Sequence, residues 1–475
     1  MKRRNVSHTR AVPHAPHLRR RALLGSFGSA ALASALPAHA GPSEGSRRPY
    51  VRAEYARLRR VLVHAPSDDD LSIAAATQEV LGNSWPVLDP EAVAEHKAYV
   101  QLLRESGAEV LLFEDLLADA VREAKRRLLW ETWLSAAFPR LSADPDAVDA
   151  SSLLGRDPRY QFLKDASGAY RHVVDDPTSL CWARDFGVML PAGLLIANSS
   201  SEFRRTESVL FRFMARFAPG LQEYPIVFDA AQEGLYLEGG DIAVLDEHTL
   251  LVGTGNSTDP RAAPALARRV GMDVVAVQMR EADFVKPGPE KSVLQTLFPH
   301  LDTCATLISP KHAVVVPWLL EAQYAEDNPF IGFMRGLASN QGVDTEEAEH
   351  SIAYLQGMGW VRRYAASSGV EDETVKDLKL TDWLRRRGFE VLTVGGPAPP
   401  GVDYRQLVRV VFTELDRQAA NVIATAPDQV IAFAGANATC AALKRSNIAV
   451  RVTDGRELRA GNGGPHCLAM PLERG

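Results

Sequence analysis

The sequence predicts an α/β fold assembled from repeated ββαβ units, and two observations lead to that class. A polar residue opening an apolar strand, then a short turn and a second apolar strand, recurs at Asp185, Asp241, Asp302 and Asn421. After at least two of these pairs a helical stretch and a further apolar strand follow: Arg261 to Val270 with Val274 to Val277, and Ala436 to Ser446 with Ala449 to Val452. Self-similarity of this kind points to a cyclic or stacked architecture rather than a doubly wound sheet. At 475 residues, 46% hydrophobic and 24% charged, the chain has the composition of a soluble globular protein with a substantial core.

In chain order, the first 40 residues read as an export signal. Arg19-Arg20-Arg21 precedes the apolar run Ala22 to Leu36, which ends in the small-residue site Ala38-His39-Ala40. The run is too short for a membrane span, and paired arginines before Ala22-Leu23-Leu24 suggest the twin-arginine route. A buried strand follows at Val61 to Ala65, stopped by Pro66, with His64 as a structural residue at its end. Asp89 to Ser106 carries Val93, Tyr99, Val100, Leu102 and Leu103 on one helical face and ends at Gly107. The strand Val110 to Phe113 comes next. Residues 114–175 then change to helix-forming stretches such as Leu116 to Ser135 and read as an inserted helical subdomain, leaving 50–113 and 176–475 for the main domain.

Charge narrows the partners. Residues 1–40 hold seven basic side chains and no acidic one, so a net charge of −6 becomes −13 once they are removed. That sign argues against nucleic acid or an anionic membrane and suits a cationic ligand. Cys181, Cys304, Cys440 and Cys467 all lie in the mature part, at spacings unlike a disulfide framework.

Asp185, Asp241 and Asp302 share one register position. Closing the units into a ring would gather them, and clustered carboxylates need a cation. A single such aspartate would equally cap a surface turn. Glu238 precedes Asp241 across Gly239 and Gly240, which allow the backbone close to a ligand. His300 and Asp302, two residues apart, are expected on one face of an extended strand, where a histidine beside a carboxylate suits general acid/base work. No second histidine stands at ligand spacing, so no metal is expected. Near the C-terminus, Gly461-Asn462-Gly463-Gly464-Pro465-His466 forms a loop ending at Cys467. Alone, Cys467 reads as a small buried hydrophobe; where a loop meets a buried strand, it is also a candidate nucleophile.

Together these residues resemble the arginine deiminase and amidinotransferase enzymes, the guanidino-group-modifying superfamily, and among them arginine deiminase. The carriers are Arg184-Asp185, Arg204-Arg205-Thr206-Glu207, Leu237 to Asp241, His300 to Thr303, Asn421 to Val452 and Gly463 to Leu472, in order between about Val61 and Leu472. The resemblance implies a five-bladed pentein propeller of ββαβ units with the helical insertion at 114–175, and no cofactor. It implies that Asp185 and Asp302 hold a guanidinium, Cys467 attacks its carbon, His300 moves protons and Glu238 orients His300. Asp241, Arg204, Arg205 and Asn462 are then expected to bind substrate. The expected reaction releases ammonia and a ureido compound; an amidinotransferase and a non-catalytic guanidinium-binding protein are the alternatives.

The chain departs from the family's free-arginine pattern. Thr178 or Ser179 stands where an asparagine is expected before Asp185, Ser257 where an arginine follows the strands after Asp241, and Asn462 where the last loop carries an arginine. Only Arg204 and Arg205 remain for a substrate carboxylate. A small-molecule or peptide guanidino substrate with an altered tail is therefore expected. Residues 318–390 exceed what the family carries.

Overall fold

A computed structural model describes residues 50–71, 88–157, 159, 162–164, 170–172, 177–201, 204–279, 298–324, 328–329, 331–332, 335–336, 356–375, 377–397 and 404–475. The proposed signal, 1–40, lies outside them, as do parts of 114–175 and of 318–390.

Strand β1 (Leu58–Val63) is followed by helix α1 (Glu91–Glu105) and β2 (Glu109–Leu112). Helices α2 (Phe113–Arg126), α3 (Trp130–Ala137) and α4 (Ala150–Leu153) come next, then the hairpin of β3 (Phe162–Lys164) and β4 (Tyr170–His172). The helix-forming stretch Leu116 to Ser135 divides between α2 and α3 near Leu128, whose left-handed φ of 59° cannot extend a helix. Phe113, expected in a strand, instead starts α2, where its ring packs edge-on against Phe186.

Four more units then repeat one plan. The first is β5 (Gly187–Leu190), β6 (Gly193–Ile196), α5 (Arg205–Phe217) and β7 (Ile226–Asp229). The second is β8 (Ile242–Asp246), β9 (Thr249–Thr254), α6 (Ala262–Val270) and β10 (Asp273–Gln278). In the third, β11 (Ala305–Leu307) and β12 (His312–Val315) are separated from β15 (Glu390–Thr393) by β13 (Val361–Tyr364), β14 (Glu371–Asp372) and α7 (Leu380–Arg386). Helix α8 (Tyr404–Asp416) leads to the fourth: β16 (Ile423–Ala426), β17 (Gln429–Phe433), α9 (Asn437–Arg445) and β18 (Ala449–Thr453). In each, the first two strands pair antiparallel and the third lies parallel to the second after a helical crossover.

The ends of the chain complete a fifth copy of the plan. β19 (Met470–Arg474) pairs antiparallel with β1, which pairs parallel with β2 across α1. The described part of 318–390 also finds a place. β13 pairs antiparallel with β10 and carries β14, so it widens the second sheet to five strands. Strands β5, β6, β9 and β16 are buried along their whole length, on both faces, and so read as apolar runs rather than alternating ones. No helix among the described residues is long and apolar enough to cross a membrane.

Candidate active site

The residues that open the units are neighbours, linked by a circuit of hydrogen bonds. Asp185 Oδ1 accepts from the Gly240 N–H (3.0 Å), and Asp241 Oδ1 from that of Leu301 (2.9 Å). The Asp302 carbonyl accepts from Asn421 Nδ2 (3.1 Å), and Asn421 Oδ1 from the Cys467 N–H (3.1 Å). The circuit returns when the Arg184 N–H donates to the Cys467 carbonyl (3.0 Å). Cys467, three residues ahead of β19, thus occupies the place in its unit that Asp185, Asp241, Asp302 and Asn421 hold in theirs.

The turn carrying His300 corrects the expected geometry. His300 and Asp302 do not share a strand face: Leu301–Thr303 is a 3-10 turn with His300 at its N-cap. The Thr303 hydroxyl (2.6 Å) and N–H (3.2 Å) both donate to the His300 carbonyl and close the turn. The two side chains therefore point to different partners. His300 Nε2 lies 2.6 Å from Glu238 Oε2 and Nδ1 3.5 Å from Asp185 Oδ1. Burial opposes a charge on His300, but Asp185 and the bond to Glu238 outweigh it and raise its pKa to about 10. Glu238 is held at about 2, against its own burial, by His300. A Cβ at Gly240 would come within 2.7 Å of both Asp185 Oδ1 and His300 Nδ1, so only glycine lets these groups meet.

Arg204 completes this cluster. Its Nη1 donates to Asp185 Oδ2 at 2.8 Å and lies 3.5 Å from Glu238 Oε2. Its Nε and Nη2 are held by Glu207, whose own carboxylate accepts from Ser179 Oγ. Asp185, Glu238 and His300 have the spacing of a cation cage, and Arg204 already supplies a positive charge to it. Asp241, fully buried, accepts from the Leu301 N–H and from Thr258 Oγ1 and so fixes the His300 turn from below; burial pushes it up to about 7.

The second cluster surrounds the sulfur. Cys467 is 2% exposed, and its thiol donates to Asp302 Oδ2 at 3.3 Å while Asn421 Nδ2 donates to Sγ at 3.1 Å. Burial and then the charges of Asp302 and Asp185 raise the thiol well above its ordinary pKa. Asp302 Oδ2 also meets His466 Nδ1 (2.8 Å), whose Nε2 meets Glu54 Oε1 (3.0 Å), and Glu54 is paired with Arg184 (2.9 Å). Against burial, His466 keeps Asp302 below the usual carboxylate range. All four cysteines are free and buried.

The structure therefore brings Asp185, Glu238, His300, Asp302, Cys467 and Arg204 into one buried region. Arg205 begins α5, and Asn462 sits at φ 61° just after the 3-10 turn Leu458–Gly461. Ser257 Oγ donates to the Pro299 carbonyl (3.1 Å), beside the His300 turn. Sequence reasoning assigned no role to Asn421, His466, Glu54 or Glu207. The first was visible as the unit opener that is not an aspartate, and the second as the neighbour of Cys467; Glu54 carries no signal in the sequence.

A sequence model of the arginine deiminase family matches residues 147–357 and 362–474. The chain is 25% identical over 461 residues to the arginine deiminase of Listeria welshimeri, covering 89% of this chain and 98% of that protein. It is 25% identical over 443 residues to that of Metamycoplasma arthritidis, covering 90% and 96%. Among solved structures, DDAH from Pseudomonas aeruginosa in complex with citrulline aligns with a TM-score of 0.43 at 13% identity, over 87% of this chain and 99% of that one. The matched residues include every member of both clusters except Glu54, and by that match the chain belongs to the arginine deiminase family.

Proposed function

We propose that the protein hydrolyses a guanidino group to a ureido group and ammonia through a covalent intermediate on Cys467. The observation that carries this reading is the turn Leu301–Thr303. Within three residues it sets a cationic His300 against Glu238 and Asp185, and Asp302 against the sulfur. An acid/base group and a nucleophile are thereby referenced to one rigid element.

In the empty protein the thiol is protonated, because burial and Asp302 disfavour the thiolate. A bound guanidinium reverses that balance, since a cation beside Sγ favours the anion, and the thiol's proton is released to solvent. Asp185 and Asp302 hold the guanidinium through charge-assisted hydrogen bonds. The thiolate adds to the guanidino carbon, and His300 passes its proton to the departing nitrogen as the C–N bond breaks and ammonia leaves. Neutral His300 then takes a proton from water, which adds to the same carbon. The C–S bond breaks as the new hydroxyl loses its remaining proton to solvent, and the ureido product leaves with the thiolate restored. The circuit of hydrogen bonds through the unit openers supports a five-bladed pentein propeller as the frame that gathers these groups.

The substrate's tail differs from that of free arginine. Of the two arginines left for a carboxylate, Arg204 is spent on Glu207 and Asp185, which leaves only Arg205 at the start of α5; Ser257 and Asn462 are uncharged. A buried α-carboxylate without a cationic partner is heavily penalised. The basic, apolar and small-residue sequence before residue 41 supports export, which N-terminal mapping of the secreted protein tests. The activity is tested by an ammonia-release screen over arginine, agmatine, methylated arginines, guanidino acids and arginyl peptides. Release of ammonia with a ureido product from at least one supports the reading; amine-dependent amidino transfer without ammonia overturns it.

A further inference from the structure

The loop that delivers Cys467 is held from outside by helix α1, which lies ahead of the residues matched to the family. Glu95 and Tyr99 are four residues apart and therefore stand one turn above the other on the same helix face. Both are buried, and neither belongs to the two clusters described above. Glu95 accepts from the N–H groups of Glu457 (Oε2, 3.0 Å) and Leu458 (Oε2, 3.1 Å), where the 3-10 turn of the loop begins. The Tyr99 hydroxyl donates to the Pro465 carbonyl at 2.6 Å. One helix face thus grips the loop at its start and again two residues before the sulfur.

The second grip acts on a particular peptide. The plane joining Pro465 to His466 has its carbonyl on Tyr99 and its N–H on Asn421 Oδ1 (3.1 Å), which also takes the Cys467 N–H. With both ends of the plane fixed, the direction in which the chain enters Cys467 is fixed as well. Between the grips the loop lies flat on Trp182: a Cβ at Gly461 or Gly463 would come within about 2 Å of the indole. Tyr99 packs in the same apolar cluster as Trp182 and Cys467. Burial pushes the Tyr99 hydroxyl up, so it remains a donor at every pH of interest.

We infer that Glu95 and Tyr99 are positioning residues for the reaction, clamping the two ends of the 457–467 loop so that Cys467 Sγ is presented between Asp302 and Asn421. This rests on the reading of Cys467 as the nucleophile. Loosening the plane at residue 465 moves the sulfur while Asp185 and Glu238 keep their own partners, Arg204 and His300, so turnover suffers more than binding.

The test uses the full chain with Tyr99→Phe, which deletes the hydroxyl and keeps the ring, and with Glu95→Gln and Glu95→Ala. The readouts are kcat and KM for ammonia release, the rate of Cys467 alkylation by iodoacetamide across pH with peptide mapping, and thermal melting. Tyr99→Phe is expected to lower kcat about ten-fold, the order of loss from a small misplacement of a reacting group, with KM within about two-fold. Its Cys467 alkylation should depart from wild type over the same pH range. Glu95→Gln, whose amide oxygen still accepts, should retain more kcat than Glu95→Ala. If Tyr99→Phe does not fold, the Glu95 pair carries the test. Wild-type kcat and alkylation in Tyr99→Phe and Glu95→Gln, whatever their melting temperatures, would overturn the inference. Alkylation reports on Cys467 directly, so that result is distinct from failure of the nucleophile reading, which would show as retained turnover in Cys467→Ser.

Discussion

Cys467 Sγ and Asp302 Oδ2 stand 3.3 Å apart with the thiol as donor, so the proposed nucleophile and a proposed guanidinium-binding carboxylate share one proton site. Burial and then the neighbouring Asp302 keep the sulfur protonated in the free protein. Alkylation of Cys467 in the free protein is therefore expected to have its pH midpoint above the ordinary thiol value of about 8.5. Asp302→Asn, which removes the second-largest cause of the shift after burial, should lower that midpoint. It should also weaken guanidinium binding, and a midpoint that stays put would detach Asp302 from the thiol's protonation.

His300 gives a pH signature in stability. Its pKa rises from 6.5 to about 10 on folding because Asp185 and Glu238 surround the ring and outweigh its burial. Its contribution is complete below about pH 6.5 and is lost as pH rises through about 10. The difference in melting temperature between wild type and His300→Asn should shrink across that window. A difference that grew with pH would mean the ring is neutral in the native state.

Asn421 carries the loop with a single side-chain oxygen, which accepts from the N–H groups of Gly464, His466 and Cys467. Asn421→Ala leaves these buried donors without that acceptor. At about 1–3 kcal/mol for each unsatisfied group, the loss of folding stability should reach at least about 2 kcal/mol in urea denaturation. Asn421→Asp keeps an acceptor but sets another negative charge near Sγ, so Cys467 should alkylate more slowly at a given pH than in wild type.

The repeat is legible because strands such as β5, β6, β9 and β16 are buried along their whole length and stand out as apolar runs, with a polar residue in front of each pair. The fifth copy, implied by the resemblance, is not legible as a repeat because its first strand, β19, lies more than 400 residues after its second, β1. Asp185, Glu238, His300, Asp302 and Cys467 could be chosen from residue type and register. The His300 turn was misread because His-x-Asp spacing fits a strand and a 3-10 turn alike, and the choice was made by Thr303, whose hydroxyl bonds back to residue 300. Glu54, Glu95 and Tyr99 act on the Cys467 loop across separations of more than 350 residues, which no local pattern encodes.

Arg204 bears on both stability and specificity. Its guanidinium is buried between Glu207 and Asp185, so Arg204→Gln strands both carboxylates and should cost about 3–5 kcal/mol in denaturant unfolding. Since that arginine is not free to pair with a substrate carboxylate, kcat/KM should favour guanidino compounds with blocked or absent carboxylates over free L-arginine. Charge-assisted contacts of about 1.5–3 kcal/mol each set the scale at ten-fold or more. A clear preference for free arginine would place its carboxylate on groups other than Arg204, Ser257 and Asn462.

The covalent role of Cys467 is tested most directly by quenching the turning-over protein in acid and weighing the Cys467 peptide. The expected peptide is heavier by the mass of the substrate less ammonia, and the adduct disappears in Cys467→Ser together with turnover. An unmodified Cys467 peptide under conditions of steady ammonia release, with turnover retained in Cys467→Ser, would contradict the account.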